Sequence, residues 1–291
     1  MNQEFYIVDV FAERRYAGNQ LAVFPEAGDV ADEEMQQLAL EMNYSETTFI
    51  RSDQPVNGGY DVRIFTPREE VPFAGHPTLG TAFVIRNYIR DDTPDEIILN
   101  LKVGQIPVRI DPESAVFWMR QNPPEFGEEF EPETMTNVLS LEKGDLDTRF
   151  PLQAVSTGLP FIIVPLVSLD AVTRASVNYT VYPDLLEGSE TQAILVFAPE
   201  TEEPDNDLHV RVFADYYGVP EDPATGSANG CLAGYLAHHR YTGEPEIDLR
   251  VEQGYALNRP SLLCLRSVAS DSGITVDVGG KVVAVARGEL C

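Results

Sequence analysis

The chain has 291 residues, 43% of them hydrophobic, which is enough for one large domain or two ordinary ones, each with a core. Against 47 acidic residues stand 20 basic ones, a net charge of −27. No cluster of cations could neutralise phosphates and no apolar run approaches the roughly 18 residues of a membrane helix, so neither nucleic acid nor a membrane is expected as a partner.

Met1-Asn2-Gln3-Glu4-Phe5 has no basic leader and enters a strand pattern at once, which argues against a signal peptide and for a soluble, cytoplasmic protein. β-Branched, aromatic or alternating patterns predict strands over Phe5–Phe11, Leu21–Phe24, Thr47–Arg51, Tyr60–Phe65, Ile97–Leu101, Ile106–Ile110 and Ala115–Met119. Later strands are predicted over Phe161–Val164, Ala193–Ala198, Leu208–Phe213, Ser261–Val268, Ile274–Val278 and Val282–Ala286. Three helices interrupt them. Asp32–Met42 is amphipathic, with Asn43 as its C-terminal cap, whereas Thr78–Tyr88 and Ser227–His239 are apolar around most of their circumference and should be buried on several sides.

An internal repeat organises these elements. Val62-Arg63-Ile64-Phe65 through Val71-Pro72 matches Val210-Arg211-Val212-Phe213 through Val219-Pro220 at an offset of 148. After a three-residue insertion, Gly75-His76-Pro77-Thr78 faces Gly226-Ser227-Ala228-Asn229. Upstream, Gly18 to Phe24 loosely matches Gly158 to Val164 at an offset of 140. Each copy reads as strand, turn, glycine, polar residue, helix. Prolines and like charges over Asn122–Glu133 predict an exposed connection. The halves are therefore placed at 1–128 and 129–291, the last C-terminal strand being able to return to the first. Two long sheets, each wrapped around one buried helix, is the expected architecture.

Cys231, Cys264 and Cys291 are scattered and suggest neither a disulfide framework nor a metal site. The bases comprise three lysines (Lys102, Lys143, Lys281) beside seventeen arginines. An acidic, lysine-poor surface suits molar salt, which screens self-repulsion, so a salt-tolerant or halophilic source is expected. Raising salt from low to molar levels should then stabilise the protein in thermal melts; unfolding would refute this.

Both repeat helices open with a glycine and a polar residue. Free N–H groups and the macrodipole favour anions there, and glycine lets a ligand approach the backbone. Gly75 and Gly226 equally suit tight packing alone. His76, Asp222 and Ser227 accompany these turns, and each can also be a satisfied structural group or a turn or cap residue. Glu46, where a helix ends and a β-branched strand begins, either faces solvent or, if desolvated in a cleft, becomes a general acid–base group. No GxGxxG, P-loop, GxSxG or HExxH pattern occurs, and His238-His239-Arg240 fits a cationic helix end.

Several segments resemble the phenazine-biosynthesis PhzF-like family, in family order and over essentially the whole chain. They are Gly18-Asn19-Gln20-Leu21-Ala22-Val23, Asn43-Tyr44-Ser45-Glu46-Thr47-Thr48-Phe49, Arg63-Ile64-Phe65-Thr66-Pro67 with Glu70-Val71-Pro72, and Ala74-Gly75-His76-Pro77-Thr78-Leu79-Gly80. Glu221-Asp222-Pro223-Ala224-Thr225-Gly226-Ser227-Ala228-Asn229 and Val251-Glu252-Gln253-Gly254 through Arg259-Pro260-Ser261 complete them. Gln20, often proline in the family, and Leu257-Asn258, commonly Met-Gly, are departures.

The resemblance implies an α+β fold of two pseudo-symmetric diaminopimelate-epimerase-like domains, each a mostly antiparallel or mixed, barrel-like sheet around a central helix. It implies a cofactor-independent, homodimeric isomerase without a metal. Glu46 would shuttle a proton on a small, cyclic or acyclic carboxylate bound between the domains, with His76 and Asp222 as further catalytic groups. Asn19, Ser45, Gly75, Gly226 and Ser227 would bind that substrate. Related racemases use two facing cysteines; here His76 and Ser227 hold the paired positions, which disfavours a two-thiol route. An amino- or hydroxy-acid epimerase or racemase and a non-catalytic small-molecule-binding protein are the alternatives.

Overall fold

The duplicated V-R-x-F strand makes the same set of neighbours twice in the computed structural model, which describes residues 3–189, 191, 193–215 and 219–290. Tyr216-Tyr217-Gly218 of the repeat and Cys291 lie outside the described residues. The chain divides into two units, one of residues 1–120 with 279–291, the other of residues 121–278.

In the first unit the elements run β1 (Gln3–Val10), β2 (Asn19–Phe24), α1 (Asp32–Met42), β3 (Glu46–Ile50), β4 (Tyr60–Phe65), β5 (Glu70–Val71) and α2 (Gly75–Val84). Strands β6 (Glu96–Leu101), β7 (Gly104–Asp111) and β8 (Val116–Arg120) follow. β1 pairs antiparallel with β2, β2 parallel with β3, β3 antiparallel with β4, and β4 antiparallel with β5. β4 then pairs parallel with β6, and β6 antiparallel with β7.

The second unit holds β9 (Glu125–Glu129), α3 (Pro132–Leu139), β10 (Gln153–Ser156), β11 (Pro160–Pro165), α4 (Leu169–Arg174), α5 (Tyr182–Gly188) and β12 (Ala193–Ala198). It continues with β13 (Leu208–Ala214), β14 (Val219–Asp222), α6 (Gly226–His238), β15 (Glu246–Gln253), β16 (Ser261–Ser270) and β17 (Gly273–Gly280). β10 pairs antiparallel with β11, β11 parallel with β12, β12 antiparallel with β13, and β13 antiparallel with β14 and parallel with β15. β15 pairs antiparallel with β16. Each of these relations recurs in order, down to the outer strand: β18 (Val282–Leu290) lies against β1 as β9 lies against β10.

Each sheet wraps one central helix. α2 packs on β1, β2, β3, β6, β7, β8 and β18, and nine of its ten residues are buried. α6 packs on β10, β11, β15 and β16. Small residues make this possible: a Cβ at Gly80 would lie 2.6 Å from Leu21 Cδ2 and 2.9 Å from Val10 Cγ2. Separate clusters fill the outer faces. α1 covers Ala22, Phe24, Phe49 and Phe65, and α3 and α4 cover Ile162, Val164, Ile194 and Val196.

Three expectations change. The division falls at residues 120/121, not 128/129, because Glu125–Glu129 is β9, paired with β10, and no free linker. The helix expected from Thr78 begins at Gly75 and ends in a π-turn over Ile85–Ile89. Five of the twelve residues of Asn122–Glu133 thus form a strand, whose glutamates are exposed while Phe126 stacks on His238 with ring centroids 4.1 Å apart.

Candidate functional site

Glu46 owes its position to the stop signal before it. Asn43 takes a left-handed conformation (φ 52°) and its N–H bonds the Ala39 carbonyl, closing α1 two residues before Ser45. The chain then enters the sheet at Glu46, which pairs with Leu21 across parallel β2 and β3. Asn19, two residues before Leu21, opens β2 and is buried; Ser45 is half-buried.

α2 starts next to this strand end. A buried hydrogen bond from the Thr81 hydroxyl to Thr48 Oγ1, 2.8 Å long, ties the helix to β3. Ala74 precedes the helix in extended backbone and has no polar side chain to cap it, and Pro77 supplies no N–H. The N–H groups of Gly75 and His76 therefore form an opening suited to an anion.

His76 turns its ring toward Glu46: Nε2 lies 3.4 Å from Glu46 Oε2, with 7% and 19% of the two side chains exposed. His76 is buried and Glu46 half-buried, and the two facing atoms, Nε2 and Oε2, are themselves shielded from water. Burial pulls the His76 pKa down to about 3, against the opposing effect of a hydrogen bond to the Gln20 backbone. The imidazole is neutral, so the contact is no ion pair. A bond that favours the imidazolium is one in which the ring donates, here from Nδ1 to the Gln20 carbonyl; Nε2 is then left with its lone pair toward Glu46. Only the carbonyl of residue 20 is used, and a proline there would supply it equally well.

In the second unit β14 ends at Asp222, which is buried, and α6 begins at Gly226 with Ser227 second. The Thr225 hydroxyl donates to Asp222 Oδ2 at 2.5 Å. The strands leading to the two helix starts are held alike. Arg63 binds Glu70 through two nitrogens at 2.9 and 2.7 Å and lies over Phe65. Arg211 binds Glu221 at 2.9 and 2.8 Å and lies over Phe213. Such bidentate, part-buried pairs fix a strand's direction better than exposed ion pairs do.

The structure thus brings Glu46 and His76 into contact, with Gly75, Asn19 and Ser45 on adjoining segments, and groups Asp222, Gly226 and Ser227 at one turn. Sequence reasoning passed over Thr225 and Gln253. Gln253 is fully buried at the end of β15, and the signals were a polar residue at an inward-facing strand position and its place in the Val251–Gly254 family segment. Cys231 lies on α6 beyond the helix start, and burial pushes its thiol up to about 12, so it is a poor thiolate source. No group of three His, Cys, Asp or Glu side chains gathers into a metal site among the described residues, and no helix among them is long and apolar enough to cross a membrane.

Comparison with known proteins gives a consistent result. The family model described as phenazine biosynthesis-like protein matches residues 8–288. The trans-2,3-dihydro-3-hydroxyanthranilate isomerase of Pseudomonas aeruginosa is 33% identical over 98% of both chains. An uncharacterised isomerase of Clostridium acetobutylicum is 32% identical over 98% of this chain and 97% of its own. Among solved structures, a PhzF-family phenazine biosynthesis protein of Bacillus anthracis superposes with a TM-score of 0.91 at 28% identity, covering 100% of this chain and 99% of that one. A hydroxyproline epimerase of Agrobacterium vitis has a TM-score of 0.63 at 9% identity, covering 99% and 91%, a likeness of fold alone.

Proposed function

The chain belongs to the phenazine biosynthesis-like protein family, as an isomerase, and we propose that it moves a proton between two carbons of a small carboxylate through Glu46. The observation that carries this is the 3.4 Å approach of Glu46 Oε2 to the lone-pair nitrogen of neutral His76. Two acceptors attract only when a proton lies between them. The acid form of Glu46 is therefore the one His76 stabilises.

The cycle follows. Glu46 takes a proton from a substrate carbon next to an unsaturated or carbonyl group. The C–H electron pair moves into the π system, and the new O–H donates to His76 Nε2. Held there, the proton returns to a different carbon, and Glu46 is regenerated with no net acid or base consumed. The N–H groups of Gly75 and His76 take the substrate carboxylate, stabilising the charge that builds up during transfer. Asn19 and Ser45 supply further polar contacts. In the other unit the turn of Asp222, Gly226 and Ser227 is read as a ligand-binding turn in its own right, with Asp222 hydrogen-bonding a polar substituent. The scheme calls on no cofactor or metal.

The relative's substrate provides the test. Trans-2,3-dihydro-3-hydroxyanthranilate, or a small cyclic carboxylate like it, is incubated with the protein in D2O and followed by proton NMR. A shifted double bond with substrate hydrogen partly retained at the new carbon is the expected result. Deuterium entering one stereocentre without a double-bond shift would make the protein an epimerase instead. Binding without turnover or exchange would leave it a binding protein.

A further inference from the structure

We infer that Gln253, acting through Thr225, is a positioning residue that presents Asp222 as a hydrogen-bond acceptor to an N–H or O–H donor on the substrate. The inference rests on the substrate placement proposed above for this turn, and what it adds is how the turn's carboxylate is oriented.

The hydrogen-bond pattern leaves Gln253 one orientation. Its Nε2 donates to the Asp222 carbonyl at 2.7 Å and to Thr225 Oγ1 at 3.2 Å. Its Oε1 accepts from the Thr225 backbone N–H at 3.2 Å and from Asn229 Nδ2 at 2.9 Å. Both amide hydrogens and both lone pairs are used, and a flipped amide would set its oxygen against a carbonyl and its nitrogen against an N–H. Because Thr225 Oγ1 accepts from Gln253, its single hydrogen points to Asp222 Oδ2, 2.5 Å away. A hydrogen bond donated to one carboxyl oxygen favours the ionised form, in which the other oxygen is an acceptor as well. The relay thus presets the Asp222 carboxylate to accept, so a ligand group placed opposite it is favoured as a donor, and another acceptor is repelled.

The turn is braced from behind as well. Gly254 has φ +82°, and a Cβ there would lie 2.4 Å from the Arg259 carbonyl oxygen and 2.5 Å from that of Pro223. The Ser261 hydroxyl bonds the same Pro223 oxygen at 2.8 Å.

The repeat provides an internal control. Leu208 pairs with Val251 as Tyr60 pairs with Leu99, so Gln253 corresponds to Leu101 in the first unit. There the same place in the fold is apolar, and strand pairing (Ile64 with Val71, Val212 with Asp222) makes Val71 the counterpart of Asp222, not of Val219 as the offset of 148 implies. The fold therefore does not require an amide at this position; the amide occurs in the unit that has a carboxylate to orient.

Calorimetric titration with anthranilate and with benzoate, which differ by one amine, tests the idea. Wild type should prefer anthranilate by about tenfold, the worth of one hydrogen bond to a charged group. Thr225→Val should shrink that preference to under about twofold while benzoate affinity stays within about threefold, and Thr225→Ser should restore it. If Thr225→Val fails to fold, Gln253→Glu replaces it: ionised, the glutamate cannot donate to Thr225, so the anthranilate preference should fall as pH rises while benzoate binding does not follow. A tenfold preference surviving in these variants, or a parallel loss of both ligands, overturns the relay. Binding of neither ligand by wild type overturns both the relay and the placement of substrate at this turn, leaving Glu46 to its own kinetic test.

Discussion

Replacing Glu46 by glutamine is expected to lower kcat by about three orders of magnitude, within the range general acid–base groups contribute, while leaving the fold intact. The amide matches the carboxyl in shape, and its NH2 can donate to His76 Nε2, so the 3.4 Å contact keeps its attraction. What it loses is the ability to accept and return a proton at pH 7. Steady-state kinetics with the substrate identified in D2O, beside a thermal melt, separate the two effects. A Glu46→Gln protein that melts like wild type and turns over within about tenfold of it would end the assignment. Glu46→Asp should lie between, because it keeps the chemistry but withdraws the carboxyl by one methylene from both substrate and His76.

Much of the architecture was legible because the duplication repeats in side chains that report on topology. Arg63 and Arg211 each sit on the strand that later binds its own glutamate, and the V-R-x-F pattern fixes which face that strand buries. The glycine-led helix starts were legible for the same reason. The missing elements have physical causes of two kinds. β15 alternates as Ile247, Leu249 and Val251 and then ends in buried polar residues, which breaks the apolar signal. Glu252 is fully buried yet takes hydrogen bonds from His209, Asn206 and the N–H groups of Glu202 and Glu203. Burial raises its pKa, but these bonds outweigh burial and hold it below the ordinary carboxylate value. The short helices α3, α4 and α5 escaped because helices of that length gain their stability from packing, which local sequence does not encode.

At the site, residue types were legible and contacts were not. Glu46 and His76 are thirty positions apart, and their approach depends on β2 pairing parallel with β3 and on Thr81 bonding Thr48. The proton arrangement was further out of reach, since it depends on the Gln20 backbone fixing which His76 nitrogen donates. Asp222 was read as a turn residue or a ligand, and its orientation by Thr225 and Gln253 appears only once β15 is in place.

The same buried imidazole predicts acid sensitivity. His76 has a native pKa of about 3 against an ordinary value of 6.5, so between these pH values the unfolded chain binds a proton that the folded one does not. Stability from this group is therefore complete above pH 6.5 and is lost as pH falls, at about 1.4 kcal/mol per unit, on the order of 3 kcal/mol by pH 4.5. His239, also lowered by burial, acts in the same direction, so the His76 share must be read by difference. Glu252, held low by its hydrogen bonds, adds its own loss only below about pH 4.5, leaving a window in which histidines dominate. Urea denaturation of wild type and His76→Asn at pH 7.5, 6.5, 5.5 and 4.5 checks this. The variant should be less stable than wild type at pH 7.5, having lost a packed ring, and should close that gap by roughly 1.4 kcal/mol per unit below pH 6.5. Parallel curves would mean that His76 takes up its proton in the folded state, turning the Glu46 contact into an ion pair and removing the lone pair on which proton return depends.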